Sequence, residues 1–170
     1  MVTSKRSPGI KDAQSPILRA DVEPLLNKHG FKIEEDQRFG HMYTKPLEDG
    51  WNITAYCSNF DNFWDFSKEV DKDKYRTINL HLDKGGQNHI VKSADGLAKN
   101  LPKIIRALSK IAEDPRSITC PECGRRYMYV QKIKKGGQFM SCHGFNDKSH
   151  GGEPACKGSN HKMKTEFNYK

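Results

Sequence analysis

Cysteine is the residue type here best placed to do chemistry, and four of the five cysteines lie in the last third of the chain. Cys120 and Cys123 bracket Pro121-Glu122 and precede Gly124, so the stretch reads CPECG. Two thiolates three positions apart can chelate one ion, and the glycine lets the chain turn tightly beneath it. Cys142 follows, and Cys156 lies 14 positions further on, with His143, His150 and His161 close by. Zinc accepts four thiolates, or three thiolates and one imidazole. Cys156 is the expected fourth ligand, because a thiolate beside zinc goes unused less often than a histidine does. One structural Zn2+ is therefore the expected cofactor. A redox dithiol is the weaker reading, since no βαβ pattern surrounds CPEC.

These ligands need a scaffold that returns the chain to its start, and a hairpin supplies one. Tyr127, Tyr129 and Gln131 alternate with Met128, Val130 and Lys132, Lys134 to Gly137 (KKGG) makes a turn, and QFMS leads back to Cys142. Arg125, Arg126, Lys132, Lys134 and Lys135 bring positive charge to this module. Tyr127, Tyr129, Phe139 and Phe145 bring rings. Cationic grooves with aromatic platforms hold single-stranded nucleic acid, each stacked base contributing roughly 1–3 kcal/mol. The competing use of any one ring is to fill the core of so small a module.

CPECG, the basic hairpin, GGQFMSC, the aromatic at Phe145 and a closing CK together resemble the C-terminal zinc ribbons of bacterial type IA DNA topoisomerases. The resemblance spans residues 116–160. It implies Cys120, Cys123, Cys142 and Cys156 as ligands, Phe139 and Phe145 at the family's aromatic positions, and binding of DNA, chiefly single-stranded. The link from Cys142 to Cys156 is longer than that family's. Nothing upstream resembles a topoisomerase core, so strand passage is excluded.

The chain has 170 residues and a net charge of +8. Residues 115–170 hold 11 Lys and Arg against 4 Asp and Glu; residues 1–114 hold 18 against 17. The cationic character thus belongs to the cysteine-bearing end, as a polyanion-binding surface requires. No apolar run approaches the roughly 18–20 residues that span a bilayer. The N-terminus has no apolar signal core either, so a cytoplasmic chain with reduced cysteines and no membrane partner is expected.

Three regions are expected: a flexible arm (1–15), an α+β domain (16–114) and the ribbon with its basic tail (115–170), hinged at Asp114-Pro115. In the middle region ILRADVEPLLNKHG reads as a short helix capped by Asp21 and ended by Gly30. Strands follow at FKIEED, FGHMYTKPL, WNITAYC and YRTINLHLD, with NHIVK as a fifth, edge strand and turns at 48–50 and 83–86. Trp51, Ile53, Ala55 and Cys57 fall on one face of their strand, and Ile78, Leu80 and Leu82 on one side of theirs. Leu97, Leu101, Ile104, Ile105, Leu108 and Ile111 recur at helical spacing over about 94–113, while Lys99, Lys103, Arg106 and Lys110 face elsewhere. The fold class is α+β: an antiparallel sheet flanked by helices that cover one face, then a small zinc ribbon.

The middle region offers little chemistry. His29, His41, His81 and His89 lack paired spacing and are expected to be surface or internally satisfied. Cys57 is expected to be a core thiol. Asp61, Asp65, Asp71 and Asp73 sit among lysines and read as a solvated linker. Trp64 with Phe60, Phe63 and Phe66 reads as core packing, with a protein-binding patch as the alternative. No phosphate loop or nucleophile elbow is present. The expectation is a non-catalytic protein that binds DNA, with a possible protein partner for the middle domain. The rivals are a module docking on a nucleic-acid enzyme and a metal-dependent nuclease.

Overall fold

The computed structural model describes residues 17–37, 40–59, 71–93, 97–133, 135–145, 155–159 and 161–162. The arm, Asp61, Asp65, the aromatic loop of Phe60, Phe63, Trp64 and Phe66, Lys134 and His150 lie outside them. The chain runs β1 (Ile17–Leu18), α1 (Arg19–Lys28), β2 (Lys32–Gln37), β3 (Gly40–Pro46), β4 (Asn52–Ser58), β5 (Lys74–Tyr75), β6 (Thr77–Lys84), β7 (Gln87–Ser93) and α2 (Leu97–Glu113). The ribbon adds β8 (Met128–Lys132), β9 (Gln138–Cys142) and β10 (His161–Lys162).

Alternation decides the sheet. β2, β3, β4, β6 and β7 form five antiparallel strands in that order. His41 lies opposite Cys57 and Tyr43 opposite Ala55, while Ala55 also faces Leu80 and Ile53 faces Leu82. Directly opposed residues share a face, so these side chains line one surface, and all are buried. The other surface carries Tyr56, Asn79, His81 and Asp83, none of them fully buried. Val22 and Leu26 of α1, and Leu101, Ile104, Leu108 and Ile111 of α2, join the apolar face in one buried cluster. The helices thus cover one side of an antiparallel sheet, an α+β architecture.

The start of α1 departs from expectation. Asp21 does not cap it; the helix begins three residues earlier than such a cap would start it, after Leu18, which makes no side-chain cap. Arg19 holds that first turn instead, with its Nε 2.6 Å from Glu23 and its guanidinium 3.1 Å from Asp73 beside β5. Tyr43 donates to the same Glu23 carboxylate at 2.7 Å, and the Tyr75 hydroxyl lies 3.3 Å from Tyr43 and 2.8 Å from His41 Nδ1. His41 is therefore internally satisfied: its Nε2, 3.2 Å from the Arg19 guanidinium, closes this ring of polar side chains, and Asp73 is an ion-pair partner attached to it through Arg19. Cys57 is a core thiol, pushed up to about 12 by burial.

Candidate metal centre

The metal centre is assembled from three short turns. The first follows a single 3-10 turn at Pro115–Ile118, where the Asp114 carboxylate accepts from the Arg116 backbone and Ile118 is fully buried. Cys120 is then anchored by its amide, which donates to Arg126 O at 2.8 Å, while Gly124 N donates back to Cys120 O at 2.8 Å. This tight reversal puts Gly124 at φ +64, a left-handed conformation that glycine adopts without penalty. Within the loop, the amides of Glu122 and Cys123 donate to the Cys120 sulfur, and those of Arg125 and Arg126 to the Cys123 sulfur.

The second and third turns repeat one pattern. Gly144 N lies 3.3 Å from the Cys142 sulfur, and Gly158 N lies 3.2 Å from the Cys156 sulfur. Each segment also bonds the other: Cys142 N donates to Gly158 O at 2.9 Å, and Cys156 N donates to Gly144 O at 2.8 Å. Reciprocal bonding of this kind brings Cys156 to Cys142 despite the long connection between them.

Together the turns place the sulfurs of Cys120, Cys123, Cys142 and Cys156 within 4.8 Å of one another, an arrangement able to hold one metal ion. Cys120 and Cys156 are 3.6 Å apart, and Cys123 and Cys142 are 3.8 Å apart. Three of the thiols are buried; Cys123 is the more accessible one. Burial raises Cys120 above an ordinary thiol, and burial raises Cys142 against the single amide of Gly144. Burial works the same way at Cys123, but the amides of Arg125 and Arg126 and the adjacent thiols outweigh it and bring it down to about 7. Metal-free, Cys120 and Cys142 hold their protons at neutral pH, so an incoming cation must displace them.

The chain matches no known family model, curated protein or solved structure. What the site can do rests on its own geometry.

His143, an alternative fourth ligand by sequence, is engaged elsewhere. Its Nε2 sits 2.8 Å from the carbonyl oxygen and 3.1 Å from the amide nitrogen of Asn88 on β7, and its ring packs 4.7 Å from Tyr129. It belongs to a seam that joins the ribbon to the sheet. Tyr127 N donates to Gln87 Oε1 at 2.8 Å, His89 Nδ1 lies 3.3 Å from Met128 O, and the Tyr127 ring rests 4.9 Å from Trp51. Ile118, Met128, Met140 and three ligand cysteines share one buried cluster with the strands of the sheet. The ribbon therefore lies against the edge strand β7 and meets its backbone at Asn88, through His143.

The residues expected to meet nucleic acid divide into several groups. Tyr129 and Phe139 share the face of the β8–β9 hairpin opposite the one that carries the buried Met128, Val130, Met140 and Cys142. The Gln131 amide donates to the Tyr129 hydroxyl across the same face. Phe145 is 39% exposed, and Arg125 and Lys135 are exposed. Arg126 lies along Gly144, where a Cβ would come within 2.9 Å of its Cδ. Lys132 is placed by its backbone opposite Gln138. Tyr127 stands apart, since its ring is committed to Trp51.

Sequence reasoning missed Gly144 and Gly158 as the residues whose amides point at the sulfurs. The signal was available: Cys142-His143-Gly144 and Cys156-Lys157-Gly158 are both Cys-x-Gly. Asp71 and Asp73, read from the sequence as part of a solvated linker, are exposed and pair with Lys74 and Arg19. Among the described residues, the four cysteines are the only metal-competent group, and no helix is long and apolar enough to cross a membrane.

Proposed function

We propose that this chain is a non-catalytic nucleic-acid-binding protein whose four-cysteine centre holds one structural zinc ion and thereby fixes a ribbon that contacts single-stranded DNA. The metal identity is supported by size and donor type. A tetrahedron of sulfurs around zinc, with bonds of about 2.3 Å, has edges of about 3.8 Å; two of the six sulfur pairs here stand 3.6 and 3.8 Å apart, and all lie within 4.8 Å. Four thiolates suit zinc and leave no open position for water or substrate, so the ion's work is structural.

The observation that carries the nucleic-acid reading is the hairpin face opposite the one that carries Met128, Val130 and Met140. Tyr129 and Phe139 are diagonal neighbours there, both half-buried, on a module whose net charge is +7. Rings of that kind stack on unpaired bases, and nearby cations draw in the phosphates. The likeness of this segment to topoisomerase zinc ribbons points the same way. The test is fluorescence anisotropy of the full chain with single-stranded DNA, duplex and RNA. Tyr129→Ala with Phe139→Ala should weaken single-strand binding by roughly 1–3 kcal/mol per ring. Unchanged affinity in that double variant would rule out this face.

A further inference from the structure

The middle domain carries almost no net charge, yet its last helix sorts its charges by side. Lys99, Lys103, Arg106 and Lys110 are all exposed. At about 100° per residue they fall within an arc of roughly 60°, making a straight ridge about 16 Å long. The buried Leu101, Ile104, Leu108 and Ile111 lie on the opposite side, locked into the core. Glu113, at the C-terminal end, is the helix's one acidic residue. None of the four cations has an ion-pair partner among the described residues.

Like charges at three- and four-residue spacing repel, and such a row costs helix stability unless something outside the helix answers it. We propose that this ridge of α2 is a second nucleic-acid contact, one that grips phosphate backbone while the ribbon engages bases. The ligand's identity rests on the nucleic-acid reading of the ribbon; the ridge itself does not. Two features favour a polymer backbone over a membrane surface or a small anion. The apolar side of α2 is occupied by the core, so the helix has nothing to insert into a lipid surface. And α2 runs through one capped 3-10 turn into Cys120, so the ridge and the ribbon are held at a fixed separation, as two contacts on one polymer require.

The test measures binding of the full-length protein to a single-stranded oligonucleotide and to a duplex between 50 and 200 mM salt. One variant carries Lys99→Gln, Lys103→Gln, Arg106→Gln and Lys110→Gln; a second carries Lys99→Arg, Lys103→Arg and Lys110→Arg and keeps the charge. The Gln variant should make the slope of log affinity against log salt shallower by about 3 on single strands and by between 3 and 4 on duplex. The Arg variant should keep the wild-type slope, which separates lost charge from lost fold. An unchanged slope in a Gln variant that still binds through Tyr129 and Phe139 overturns the ridge and leaves the ribbon reading intact. Loss of slope in the Gln variant, with the Tyr129/Phe139 variant binding normally, supports the ridge and removes the ribbon face. A wild-type protein that ignores oligonucleotides but binds polyglutamate through these four residues overturns the proposal in favour of an acidic protein partner.

Discussion

Raising or lowering pH by one unit around neutrality should change the protein's apparent zinc affinity by more than a hundredfold. The reasoning starts from where the protons sit in the metal-free cluster. Burial holds Cys120 and Cys142 above the ordinary thiol range, so both are protonated at pH 7. Cys123, brought down to about 7, is about half ionised there. Zinc takes a cysteine only as its thiolate, so from these three groups alone it must displace roughly 2.5 protons. Each displaced proton adds one to the slope of log affinity against pH, which gives about 300-fold per pH unit near pH 7. The sign follows directly: alkali removes the competing protons and tightens binding, whereas acid restores them and releases the ion. The assay is competition with a chromogenic chelator from pH 6 to 8, corrected for the chelator's own protonation. A companion measurement counts protons released into weak buffer on adding zinc. A slope of one or less would refute the argument, because it would mean that the buried thiols are not the ligands.

Three further outcomes follow from the fold. A Cβ on Gly40 would stand 1.8 Å from the Cys57 carbonyl oxygen, which is backbone and cannot swing away; Gly40→Ala should therefore cost more than the ~1–3 kcal/mol of ordinary overpacking in a urea titration. A double-mutant cycle on Trp51→Ala and Tyr127→Ala should return a coupling of about 0.5–1.5 kcal/mol, and strict additivity would mean that the ribbon does not rest on the sheet. Burial, reinforced at His81 by neighbouring His89, holds both His81 and His89 at about 4 in the folded chain. The unfolded state takes up those protons first, so their contribution is whole above pH 6.5 and is lost as pH falls toward 4, roughly 2–3 kcal/mol per ring. The His81→Gln/His89→Gln variant should lose less stability over that window than the wild type, and equal losses would count against the burial argument.

What could be read in the sequence was local. Trp51, Ile53, Ala55 and Cys57 alternate because one side of their strand is buried, and α2 repeats leucine and isoleucine because one side of it is. CPECG is legible because chelation itself sets its spacing. What could not be read depends on partners far away along the chain. The start of α1 is fixed by Arg19 reaching Asp73, 54 positions on, where a cap at Asp21 looked the natural choice. Tyr127 alternates with its neighbours like a solvent-facing ring, and only the docked sheet shows that Trp51 takes it. The fourth ligand was chosen by chemistry alone; the structure adds that His143 is occupied by Asn88, leaving Cys156 to join the other sulfurs.

The contact of the ribbon with β7 has a consequence for how the protein is made. β7 ends at Ser93, whereas the segment that closes the ribbon arrives only with Cys156. A ribosome takes ~3–12 s to add the ~60 residues in between. Throughout that interval the nascent sheet presents an open border to any neighbouring chain. How quickly the four-cysteine ribbon closes then sets how long that border stays open.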